Sequence, residues 1–495
     1  MQDAIRKLIA LGLCELLVFF PIFSLIPGRA PWLPSAARPM QTAPLRDYLQ
    51  KSYLELFELA PKLEFSAQEI ESQRQGLDKG QDLCVARFKD HAKNYGKQID
   101  AARKTLKNKT GSVTESERKQ MHCQIQNLEL LKSEAEALSR QAIPTAYDNL
   151  NAKLDLIEKW PGLRKQAEQE LADGSYVKRR FGDVKDIGFR EVEPNQQADI
   201  KTGQDALEEM KRNGLLPPEV DDKAIQDYVK SVAEQIAAKS DLKIPLHVSV
   251  LQSREINAFA LPGGYLFIER GLLEAADNEA ELAGVLAHEM AHDVARHSNK
   301  LMKKAMISSL LYQVAQVAAA VLTGGASVGV YYALQYGFYG LGFVLDLNLL
   351  GVSRDYELEA DQLGVQYAWN AGYDASGFIQ FFDEMATKQG YVNSASWFRT
   401  HPPFLERMVA AEREIMFLSP KANPIVQTAA FEQMKKELAP IAAKAEKEEV
   451  GKPSLLKNRE EGCEPPRKLE YTPGQPIEQI CSAPPVTASS AGEVK

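Results

Sequence analysis

His288-Glu289-Met290-Ala291-His292 constrains this chain more than any other five residues in it. The run lies among strong helix formers that begin at Asn278, where Asn278 and Glu281 make a cap pair, and continue to about Lys304. Helical residues four apart differ by only about 40° in projection, so both imidazoles face one side. Two imidazoles on one face can share a metal ion, and Glu289 between them can reach a water there as general base. The pattern is short, and alone it also fits two surface histidines on a solvated helix. A third ligand must come from elsewhere, because catalytic sites of this kind take three protein ligands and leave one position for water.

The acidic run Ser353-Arg354-Asp355-Tyr356-Glu357-Leu358-Glu359-Ala360-Asp361 can supply it. On a helix Glu357 and Asp361 share a face, whereas Glu359 points roughly 200° away. Glu357 is then the natural ligand and Asp361 the group that orients the ligands. Glu359 replaces Glu357 only if the segment is not helical, and an ordinary solvated face is the plainer reading of the same run. His297 falls about 180° around the helix from His288 and is excluded as a ligand. His401 opens His401-Pro402-Pro403, where a loop can return it to the site. There it would stabilise a charged tetrahedral intermediate, or take the open metal position and silence the site. A loop histidine before a turn is the alternative.

Around this centre the chain divides by composition. Residues 31–45 read as a linker rich in Pro and small residues. Residues 46–185 carry Lys, Glu, Gln, Ala and Leu at helical spacing, with Ile125, Leu128, Leu131, Ala135 and Leu138 as one stripe to be buried. A break at Lys109–Val113 and a capping box at Thr114–Glu117 predict a helical, coiled-coil-like hairpin that projects or packs as an arm. Asn195–Asp199 reads as a connector. Residues 200–420 form the domain around the metal motif, with a strand at His247–Val250 and two extended runs from Asn257 to Ile268 about a Leu261-Pro262-Gly263-Gly264 turn. Within it, residues 305–350 are apolar but interrupted by Gln313, Gln316, Gln335 and Asp346. They read as an amphipathic flap or plug that touches lipid, in preference to spanning helices. Residues 421–451 are a helical extension and 452–495 a Pro-rich, mostly disordered tail.

Arg6 and Lys7 precede an apolar stretch from Leu8 to Ile26, the order of an export signal. Residues 1–30 are therefore expected to be a cleaved signal peptide or a signal anchor, with the rest outside the cytosol. Four cysteines follow Cys14, and an even number suits an oxidising compartment. A Cys463–Cys481 bridge is expected ahead of free thiols. A Cys84–Cys123 bridge conflicts with the hairpin unless its first helix breaks near Tyr95-Gly96. The net charge of -8 and the single basic run Lys178-Arg179-Arg180 exclude a nucleic-acid partner.

Four motifs in order, Asn257 to Tyr265, the His288–His292 motif, Ser353-Arg354 with Glu357 and Asp361, and Thr400-His401-Pro402 with Arg407, resemble the HtpX-like and CAAX-prenyl-protease (Ste-type) group of gluzincin metallopeptidases. The likeness is greatest to its soluble BepA-like and Oma-type branch. The resemblance implies a mainly α fold: a zinc metalloprotease domain of helices plus a small β-sheet, here preceded by the helical arm. It implies one Zn2+ held by His288, His292 and Glu357. Glu289 would activate water, and Asp361, His401 and Arg407 would complete the catalytic set. Asn257, Ala258 and Phe259 would form the edge strand that pairs with an extended substrate. The helical-repeat array of BepA-like members is not visible after residue 420.

The function expected is zinc-dependent endoproteolysis of protein or peptide substrates outside the cytosol, in a bacterial periplasm or from a membrane anchor, and in envelope protein quality control. A membrane surface, a homo-oligomer or a protein partner recruited by the arm are the further partners considered. The alternative is a zinc-stabilised, chaperone-like substrate-binding protein, against which an intact Glu289 argues.

Overall fold

The computed structural model describes residues 43–108, 114–187, 196–212, 216–297, 300, 354–388, 401, 405–451, 463 and 477–482. The described residues from Pro44 onward belong to one compact unit. The expected export segment at 1–30, the apolar stretch at 305–350, the hairpin turn at 109–113 and most of the linker and tail lie outside the described residues.

The fold is mainly helical with one three-stranded sheet. After α1 (Tyr53–Leu59), helix α2 (Ala67–Asn108) runs 42 residues without interruption, about 63 Å at 1.5 Å per residue. The chain returns through α3 (Glu115–Ala137) and α4 (Ile143–Asp173). Thr114 caps α3 by accepting from the Glu117 amide while Glu117 accepts from the Thr114 amide, the capping box that its sequence calls for. Ile70, Leu77, Cys84, Phe88, Ala92, Tyr95 and Ile99 form the buried stripe of α2, and Ile125, Leu128, Leu131, Ala135 and Leu138 are buried on the returning chain.

The expected Cys463–Cys481 bridge is corrected. The bridges are Cys84–Cys481 and Cys123–Cys463, so the tail is fastened to the hairpin at two heights and not closed on itself. Helix α2 does not break near Gly96. Cys84 lies 24 residues before its end, roughly 36 Å from the turn, too far to meet Cys123, and each finds a tail cysteine at its own level. Helix α12 (Ile477–Ser482), with Ile477 and Ile480 buried, gives the end of the tail a packed contact.

The hairpin packs on the metal-motif domain. Lys153 of α4, almost fully buried, donates to the Lys51 carbonyl at 2.6 Å and lies 3.3 Å from Asp383. Tyr53 meets Phe382 edge to face, and Arg413 bonds Glu170 at 2.8 Å.

In the domain, α5 (Gln196–Arg212) is helical from residue 196, so the expected connector 195–199 contributes Asp199 to a helix. Helix α6 (Lys223–Ala237) packs on the sheet and on α7 (Glu279–Val294). Strands β1 (His247–Leu251), β2 (Ala258–Leu261) and β3 (Tyr265–Glu269) lie in the order β1-β3-β2, with β1 parallel and β2 antiparallel to β3. Gly263 and Gly264 turn the β2–β3 hairpin at φ +93 and +87, conformations that suit only glycine well. Every residue of α7 is buried, including the ionisable Glu279, Glu281, His288, Glu289, His292 and Asp293, which must therefore find partners inside the fold. It ends at Val294, ten residues before the expected end, because Arg296 turns left-handed at φ 58. Helix α8 (Arg354–Asn370) crosses α7 at Gly364, where a Cβ would lie 3.0 Å from the His288 backbone. Helices α9 (Gly377–Asp383) and α10 (Leu405–Phe417) close the site, and α11 (Ala429–Gly451) continues the chain. Among the described residues no helix is long and apolar enough to cross a membrane.

Candidate metal centre

Asn278 caps α7 by accepting from the Glu281 amide at 3.0 Å, and Glu281 accepts from the Asn278 side chain. A cap of this kind contributes about 1 kcal/mol. Nearly three turns after the cap, the helix presents His288 and His292 to α8, which the Gly364 contact brings close enough to insert Glu357.

Among the described residues, His288, His292, Glu357 and His401 form a fully buried group with one potential ligand atom each, all within 4.8 Å of one another. His288 Nε2 and His292 Nε2 are 3.1 Å apart. His288 Nε2 lies 3.7 Å from Glu357 Oε2, and His292 Nε2 lies 3.4 Å from Glu357 Oε1. A tetrahedral ion with N and O ligands at 2.0–2.1 Å has edges of about 3.3 Å, so these spacings fit a zinc ion. The chemistry of the donors agrees: several lone-pair nitrogens and a carboxylate converge, more acceptors than shared protons could satisfy.

Imidazole nitrogens and a carboxylate at these spacings are a donor set that zinc takes. His401 Nδ1 stands 3.3 Å from His288 Nε2 and 3.1 Å from Glu357 Oε2, at the fourth corner of the group.

Electrostatics favour the ligand form at Glu357 and His292 but not at His288. Burial alone would push Glu357 up, but Arg407 and His401 hold it well below the usual carboxylate range. Burial drives His292 well below its ordinary value. His288 is opposed by burial yet lifted to about 9 by Asp361 and Glu357, so its proton must leave when a metal binds. Burial raises Glu289, whose Oε1 lies 3.3 Å from His401 Nε2 and has no hydrogen-bond partner. A buried carboxylate oxygen that makes no hydrogen bond, beside converging ligands, suits a general base for water.

Beyond the ligands, the two histidines have different neighbours. His288 Nδ1 lies 3.0 Å from Asp361 Oδ1, off the line of a good hydrogen bond. Arg407 of α10 binds both oxygens of Asp361 at 2.7 Å and Glu357 Oε2 at 3.0 Å. Phe378 of α9 stacks on the His288 ring. His292 Nδ1 instead faces His297 Nδ1 at 3.0 Å, and His297 Nε2 faces Glu359 Oε2 at 3.1 Å. His297 stands outside the group of four, and the left-handed turn returns it to His292 against the projection of an unbroken helix. Glu359 does point away from Glu357. Periodicity had no signal for the His297 contact, nor for Phe378.

The expected edge strand stands beside α7. Asn257 leads into β2, and its carbonyl accepts from the Glu269 amide at 3.0 Å. In that antiparallel register the backbone groups of Ala258 and Ala260 point away from β3, β2 being an edge strand among the described residues, while Phe259 stacks on Phe267. Asp293 of α7 fixes the hairpin by accepting from the Gly264 amide at 2.7 Å.

Residues 223–415 match the model of peptidase family M48. The chain is similar to the beta-barrel assembly-enhancing protease of Yersinia pestis, 26% identical over 223 residues that cover 44% of each chain. It is also similar to the mitochondrial metalloendopeptidase OMA1 of Schizosaccharomyces pombe, 35% identical over 186 residues, 37% of this chain and 50% of that one. OMA1 of Saccharomyces cerevisiae is 31% identical over 192 residues, 38% of this chain and 50% of that one. The chain thus spans half or less of the length of these relatives.

Proposed function

With residues 223–415 a peptidase family M48 domain, we propose that this protein is a zinc-dependent endopeptidase that cleaves protein substrates outside the cytosol. The observation that carries the reading is the buried convergence of His288 Nε2, His292 Nε2 and Glu357 beside Glu289, whose Oε1 makes no hydrogen bond. Zinc, when bound, supplies a Lewis acid that polarises the scissile carbonyl and makes a water acidic enough to lose its proton near neutral pH.

The chain's own residues do the rest. Glu289 takes the proton from the attacking water as the new C–O bond forms, and delivers it to the leaving amine as the C–N bond breaks. Its raised pKa suits a group that must both accept and return a proton. Asp361 and Arg407 hold His288 and Glu357 in place. An extended substrate adds to β2 along Asn257, Ala258 and Phe259, pairing with the outward backbone groups and leaving side-chain preference loose. His401 at the fourth corner occupies the place that a substrate carbonyl needs, which makes this arrangement a self-silenced one. On withdrawal, the same imidazole is placed to stabilise the charged tetrahedral intermediate.

The two disulfides favour an oxidising compartment, as expected of an exported chain. The name of the Yersinia pestis relative, a beta-barrel assembly-enhancing protease, supports a role in protein quality control, for which we propose a place in the envelope. The hairpin offers the surface for a protein partner or a second copy of the chain. Metal content and casein cleavage, measured on wild type and Glu289→Gln, test the reading. Zinc in both with cleavage only by wild type supports it, and equal cleavage by both refutes it. Zinc in both without cleavage calls for the His401 variants.

A further inference from the structure

His292 turns Nε2 toward the metal-ligating group, so its ring proton must sit on Nδ1 when it acts as a ligand. The atom facing that proton is His297 Nδ1, at 3.0 Å. It can only accept if His297 carries its own proton on Nε2, and Nε2 lies 3.1 Å from Glu359 Oε2, a group that accepts and does not donate when ionised. One carboxylate therefore fixes the tautomers of two imidazoles in series.

From this geometry we infer that His297 is a positioning residue for the metal centre, with Glu359 behind it. It locks His292 in the ligand tautomer and ring orientation, whereas on the other side Asp361 Oδ1 stands 3.0 Å from His288 Nδ1 directly. The inference rests on the metal centre proposed above. The backbone is built for the contact: helix α7 stops at Val294, and Arg296 adopts φ 58 while its guanidinium grips both oxygens of Asp199 at 2.5 and 2.7 Å. That turn brings His297 back with its side chain fully buried, and Tyr356 stacks on its ring at 4.2 Å.

The stacking offers a purely structural role for His297, and two substitutions separate it from the hydrogen bond. His297→Phe keeps a ring against Tyr356 but offers no acceptor. His297→Asn gives up the ring but places an amide oxygen near the position of Nδ1. Zinc affinity by chelator competition, with the visible spectrum of the cobalt-loaded protein, reports on the ligand sphere independently of proteolysis. Loss of a group that orients a ligand costs about 10- to 100-fold in metal affinity. His297→Phe should lose zinc affinity by that factor and show an altered cobalt spectrum, while His297→Asn recovers most of both. Wild-type affinity in His297→Phe, or an Asn variant no better than Phe, would overturn the inference. Should His297→Phe fail to fold, Glu359→Leu decides from a half-buried helix position: about 10-fold weaker zinc binding supports the relay, and unchanged binding refutes it. If the wild-type protein binds no zinc, the metal centre itself fails and this inference with it.

Discussion

The two histidine flanks of the site do one job with different parts. On the His288 side, the orienting carboxylate comes from the same helix as Glu357, one turn on, and a fully buried arginine fixes it from α10. On the His292 side, the carboxylate belongs to the opposite face of α8, and an imidazole delivered by a left-handed turn bridges the gap. The first flank is deep and doubly charged; the second reaches Glu359, whose side chain is 30% exposed. The contrast teaches that a ligand can be oriented from the rim of a site if a neutral group carries the constraint inward.

The largest effect should come from the buried flank. Arg407→Ala removes the one guanidinium that faces both buried carboxylates, Glu357 and Asp361, and breaking a buried pair of this kind costs about 3–5 kcal/mol. Denaturant unfolding should show that loss together with loss of zinc. A variant of near wild-type stability would mean that α10 is not what holds the flank.

His297→Phe ranks next, with its loss in zinc affinity but little loss of fold. If it unfolds the protein as Arg407→Ala does, the two flanks are not different in kind. Asp199→Ala releases Arg296 from the turn, and loss of a buried charge-assisted contact costs about 1–3 kcal/mol. Its zinc affinity should fall in the same direction as in His297→Phe, and unchanged affinity would show that the turn holds without its ion pair.

The smallest effect lies away from both flanks, where α10 meets the hairpin. Burial, then the like charge of Glu58, lifts Glu412 from 4.5 to about 7. A carboxyl raised on folding stabilises most below its unfolded value, and that contribution is lost as pH climbs through 7. Glu412→Gln cannot ionise, so it should match wild type near pH 4 and exceed it on the order of 1 kcal/mol by pH 8. Melting curves across that range would check it. No trend with pH would mean that Glu412 stays ionised within the fold.

Much of this was legible in the residues. His288 and His292 share a face because 3.6 residues make a turn, and the same rule separated Glu357 and Asp361 from Glu359. The capping residues Asn278 and Thr114, the Gly263-Gly264 turn and the stripe from Ile125 to Leu138 are local signals, and local structure obeyed them. What escaped depends on partners far away in sequence. Helix α7 ends where Asp199 holds Arg296, 97 residues apart, and no glycine announces the left-handed turn. Cys84 and Cys123 each pair with a cysteine more than 300 residues on, which spacing within the tail does not reveal. His401 joins the site through a fold-level return of the chain, so its sequence could mark it only as a candidate.

The most direct test of a self-silenced zinc peptidase is casein cleavage with zinc content measured on His401→Ala, alone and combined with Glu289→Gln. One zinc per chain in both proteins, with cleavage by His401→Ala and none by the double variant, is the predicted result. Cleavage that survives Glu289→Gln, or a chain that never retains zinc, would contradict it.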